Sequence, residues 1–133
     1  MFDPWFETTY RGIRIYLAHL RGRSACTDGR HIWLDVRLTR VEARCSLTHE
    51  LIHMILGHQC TQCAWIEARV RERAARLLAP ISAILARAQS QEHPADIAED
   101  LDITLAVLTD RMTTLTTTER SQLREATLPH LVA

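Results

Sequence analysis

Lysine is absent from this 133-residue chain: all 16 basic residues are arginine. A lysine nucleophile or Schiff-base chemistry is thereby excluded. Net charge is lacking too, because 16 acidic residues balance the arginines. Such a chain has no bulk attraction for nucleic acid or an anionic membrane surface. No apolar run is long enough to span a bilayer. The first residues, Met1-Phe2-Asp3-Pro4-Trp5-Phe6-Glu7, lack the basic start and continuous apolar stretch of a secretory signal. A cytoplasmic location is the expectation. Cysteine is sparse, at positions 26, 45, 60 and 63. Cys60 and Cys63 form a single CxxC with no second pair to complete a structural zinc site, and the βαβ context of a redox motif is missing. The length suits one domain with room for a small appendage.

What is present centres on residues 39–58. His49-Glu50-Leu51-Ile52-His53 is an HExxH. Side chains four apart share one face of a helix, so His49 and His53 can hold one metal ion. Glu50 is rotated about 100° from His49, beside the metal, where a general base for an activated water belongs. Thr39 and Glu42 have the spacing of a capping box at the helix start. Val41, Cys45, Leu47, Thr48, Leu51, Ile52, Ile55 and Leu56 recur at helical spacing, and Gly57 is a natural stop.

Ahead of the helix, residues 1–38 read as extended structure. Residues 11–17 alternate as a half-buried strand, Asp28-Gly29 signals a hairpin, and residues 31–36 alternate again. A strand beside an HExxH helix can bind an extended peptide by strand addition. Trp33 either borders that groove or is ordinary core.

Beyond the CxxC, residues 64–79 carry small apolar side chains at helical spacing. A catalytic zinc usually has three protein ligands, and this helix offers Glu67 and Glu72. His58 is a further candidate, although its spacing from His53 places it towards the wrong side of the helix end. Together with Cys60 and Cys63 it would make a separate structural zinc site. Pro80 can open a next helix, and residues 90–94 break it. Residues 95–112 resemble a helix-turn-helix, with Asp102-Ile103-Thr104 as the turn. Its acids at 96, 99, 100, 102 and 110, with Arg111 as the one cation of the second helix, argue against DNA binding and for a packing unit. Thr116 and Glu119 cap a last helix.

The HExxH, the following Gly57-His58, then Glu67-x-x-Val70, Ala74 and Leu77-Leu78-x-Pro80 resemble the ImmA/IrrE family of metallopeptidases. Arg73 stands where that family has an aromatic, Ala79 replaces a methionine, Ile52 replaces a glycine, and the interval from His53 to Glu67 is short. The resemblance implies that Glu67 joins His49 and His53 as a zinc ligand. It also implies an endopeptidase that cuts a transcriptional repressor. The expected fold is α+β: a small antiparallel sheet packed on the HExxH helix, followed by a helical region. The expected division is a metallopeptidase domain over 1–92 and a helical appendage over 93–133. Glu50 is the expected base, and Tyr16, His31 and His93 are candidate oxyanion donors. The competing reading is a non-catalytic regulatory module that binds protein or DNA and holds zinc only for structure.

Overall fold

A computed structural model describes residues 1–58 and 63–132. The fold is α+β and mostly helical. Its elements run α1 (Pro4–Tyr10), β1 (Arg14–Ala18), β2 (Ala25–Thr27), β3 (His31–Asp35), α2 (Arg40–Ile55), α3 (Ala64–Leu78), α4 (Ile81–Leu85), α5 (Pro94–Asp100), α6 (Leu105–Thr113) and α7 (Thr117–Val132).

The long helix α2 begins as its sequence dictates. The Thr39 hydroxyl accepts from the Glu42 amide, and the Glu42 carboxylate accepts from the Thr39 amide. One flank of α2 packs on the sheet, burying Ile32, Leu34 and Leu47. Its other flank meets the helices, where Cys45 joins Leu78, Ala79, Ile84, Ala98, Leu101, Ile103 and Leu108. That second core draws on α3, α4, α5 and α6 together and runs continuously across position 93.

Three expectations are corrected. The amino-terminal segment contains helix α1, because Asp3 caps it by accepting from the Trp5 and Phe6 amides and Pro4 sits at the first position. The sheet is mixed, in the order β1-β3-β2. β2 and β3 form the antiparallel hairpin around Asp28-Gly29, but β3 then inserts between β2 and β1 and runs parallel to β1. β3 therefore has both edges hydrogen-bonded and has none left for strand addition. Finally, the last helix is long, 16 residues, opened by reciprocal bonds between Thr116 and Glu119.

Residues 94–113 form two short helices, joined by a turn in which Asp102 adopts φ 60°. Arg40 holds the Asp102 carboxylate with two bonds of 2.6 and 2.8 Å, and buried Arg44 holds its carbonyl at 2.7 Å. These bonds fasten the turn to α2.

Candidate metal centre

α2 carries His49 and His53 one turn apart, and α3 crosses beside them. Val70 and Ala74 on α3 pack against Ile52 of α2. Small side chains at that contact let the two helices approach closely, and Glu67, one turn before Val70, arrives beside the histidines. The Glu67 carboxylate lies 2.9 Å from His49 Nε2 and 3.1 Å from His53 Nε2. The two Nε2 atoms are 3.2 Å apart. Four-coordinate zinc with bonds of about 2.0–2.1 Å separates its donors by about 3.3 Å. Two imidazole nitrogens and a carboxylate oxygen converging at that spacing are a donor set that fits a divalent metal. Among the described residues these three form the group able to do so.

The electrostatics agree with ligation. Burial lowers the His49 pKa by more than the hydrogen bond and charge of Glu67 raise it, so the ring favours its neutral form. Burial also works against ionised Glu67, but hydrogen bonds and charge from His49 and His53 outweigh it and leave that carboxyl below its ordinary value. Glu50 behaves oppositely. Burial pushes its carboxyl up, the neighbouring Glu67 charge adds to the shift, and His53 and Arg23 oppose it. The carboxyls of Glu50 and Glu67 are thus shifted in opposite directions.

His49 and Glu50 open onto a cleft of 540 Å³, which Ser24, Ala25, Arg71, Thr104 and Asp110 also line. Ala25 belongs to β2, whose outer edge is not paired with another described strand. Arg71 contacts Asp110 of α6 at 3.8 Å. It stands four residues after Glu67, on the same face of α3.

The other candidates lie elsewhere. Glu72 bonds Arg76 at 3.5 Å, about 140° round α3 from Glu67. His58 faces His53 from the side away from Glu67, Nδ1 to Nδ1 at 3.1 Å. Trp33 and Tyr16 stack with centroids 6.0 Å apart, and His31 tilts against both. Alternation along β3 turns Trp33 and His31 away from α2, since Ile32 and Leu34 are the residues buried against it. His93 is exposed at the start of α5. Cys60 falls outside the described residues, and Cys63 is an exposed thiol preceding α3.

The sequence pattern of the peptidase family described as the IrrE N-terminal-like domain matches residues 9–113. The chain belongs to that family. The IrrE N-terminal-like match takes in the sheet, α2, α3 and the helices through α6, and so includes every residue of the metal group. No curated protein and no solved structure matches the chain significantly. A metallopeptidase-type domain is what the IrrE-like family membership establishes.

Proposed function

We propose that the chain is a zinc-dependent endopeptidase in which His49, His53 and Glu67 hold the metal and Glu50 is the general base. The observation that carries this reading is the convergence of two Nε2 atoms and one carboxylate within 3.2 Å, with Glu50 next to His49 on the cleft that both line. Zinc in such a site lowers the pKa of a water towards 7 and polarises a carbonyl.

The chain's own residues do the rest. Glu50 takes a proton from the attacking water and delivers it to the amine nitrogen as the peptide C–N bond breaks. An extended peptide fits the cleft by adding to the outer edge of β2, where backbone hydrogen bonds hold it whatever its sequence.

The proposed substrate is a transcriptional repressor in the same cytoplasm, as the family resemblance suggests. No helix among the described residues is long and apolar enough to cross a membrane. The test is zinc content per chain together with cleavage of candidate repressors, for wild type and Glu50→Gln. One zinc in both, with cleavage only by wild type, supports the reading. A zinc-free wild type after reconstitution sinks it and favours a non-catalytic regulatory module.

A further inference from the structure

We infer that His58 is a positioning residue that fixes the tautomer and ring orientation of the ligand His53. This rests on the metal site proposed above and adds to it a residue that touches neither metal nor substrate.

The placement is built by the end of α2. Gly57 adopts φ +75°, its amide bonds the Met54 carbonyl at 3.1 Å, and the His58 amide bonds the His53 carbonyl at 2.8 Å. Those paired bonds are a Schellman motif, which reverses the chain over the last helical turn. The reversal lays the His58 ring against the His53 ring, centroids 5.3 Å apart, with the two Nδ1 atoms 3.1 Å apart.

Two nitrogens at that distance share one proton, so one donates and the other accepts. His53 Nε2 faces His49 and Glu67, and a ligating nitrogen carries no proton. The proton of His53 is therefore on Nδ1, and the bare Nδ1 of His58 accepts it. His53 is 4% exposed, so water is a poor substitute acceptor. Outer partners of this kind hold a ligand ring in one orientation and make it a stronger donor to the metal. The same geometry removes His58 from the ligand set, because its Nδ1 is directed at His53 from the far side.

The experiment compares zinc affinity of the full chain, by competition with a chromophoric chelator, for wild type, His58→Leu, His58→Phe and His58→Asn. Metal-free melting curves report whether each variant folds. Phe keeps the ring contact without an acceptor, while Asn restores an acceptor oxygen near the Nδ1 position. The expected result is a 10–100-fold weakening for Leu and Phe and a near wild-type value for Asn. Phe equal to wild type, or Asn as weak as Phe, overturns the assignment. A second measurement needs no variant. In the zinc-loaded wild type, nitrogen NMR should show His53 protonated at Nδ1 and coupled through the hydrogen bond to His58 Nδ1, and absence of that coupling also overturns it. Wild type that takes up no zinc removes the metal site and this role together. Zinc bound by wild type with an unmoved Phe variant strikes the role of His58 alone.

Discussion

Glu67 on α3 reaches His49 on α2 at 2.9 Å, and this one contact converts a helical HExxH into a three-donor group. It joins residues 18 apart in the chain through a helix crossing rather than a local turn.

Removing that contact tests the group directly. Glu67→Ala leaves two donors, so zinc affinity should fall by more than the 10–100-fold typical of losing an outer partner. Glu72→Ala, which loses only a 3.5 Å bond to Arg76, should bind zinc as wild type does. Chelator competition on both variants checks this, and equal losses would move the third ligand away from Glu67.

Glu50→Gln should keep its zinc and its fold while turnover drops by about 10²–10⁴-fold, the usual contribution of a general base. The proper readout is kcat with metal content measured on the same sample. A drop explained by lost zinc would contradict the role.

Gly57→Ala forces a Cβ into the left-handed region, at a cost of about 1–2 kcal/mol. Nothing lies within 4 Å of the added atom, so the strain is conformational and not steric. The expected result is a lower melting temperature, accompanied by weaker zinc binding as His58 shifts from His53. Unchanged stability would contradict the left-handed turn.

An ion network around the buried Arg111 ties the carboxy-terminal helix to the core. Arg111, 1% exposed, donates to the Ala79 carbonyl at 2.7 Å and to both Glu119 oxygens, and Arg76 joins from α3 at 3.0 Å. Arg111→Ala leaves the Ala79 carbonyl without its donor and Glu119 with only Arg76 and the Thr116 amide, and should cost about 1–3 kcal/mol in chemical denaturation.

The same network predicts a pH dependence. The Arg111 guanidinium holds the Glu119 carboxyl well below its ordinary value of 4.5, with Thr116 and Arg76 helping against burial. A carboxyl depressed on folding contributes stability that is complete above the unfolded pKa and is lost as pH falls through the folded one. Stability should therefore decline below about pH 4.5. Glu119→Gln should be less stable at pH 7 with a shallower acid limb in urea titrations, and an unchanged limb would refute the assignment.

Local rules made much of this molecule legible. Thr39 with Glu42, Gly57, Asp28-Gly29 and Thr116 with Glu119 each act within a few residues, and each forms the start, stop or turn that its spacing announces. Asp3-Pro4 is equally local, a cap followed by a proline at the first position, but the alternating residues behind it favour strand. His49 and His53 follow from helix periodicity alone, since 3.6 residues per turn stacks them whatever surrounds α2.

Tertiary packing decided the remainder. Strand order is invisible in the alternation of residues 31–35, because period two states which side chains share a face and not which neighbour pairs at either edge. β3 took the middle of the sheet, and the free edge near the cleft passed to β2. Glu67 and Glu72 are alike to any local rule. Only the crossing of α3 over α2, set by the fit of Val70 and Ala74 against Ile52, turned Glu67 towards the histidines and left Glu72 to Arg76. The sequence by itself determined the elements and the two-histidine face, because hydrogen-bonded helix geometry is local. The third donor and the cleft depend on side-chain volumes meeting across the core, and only the folded chain brings those together.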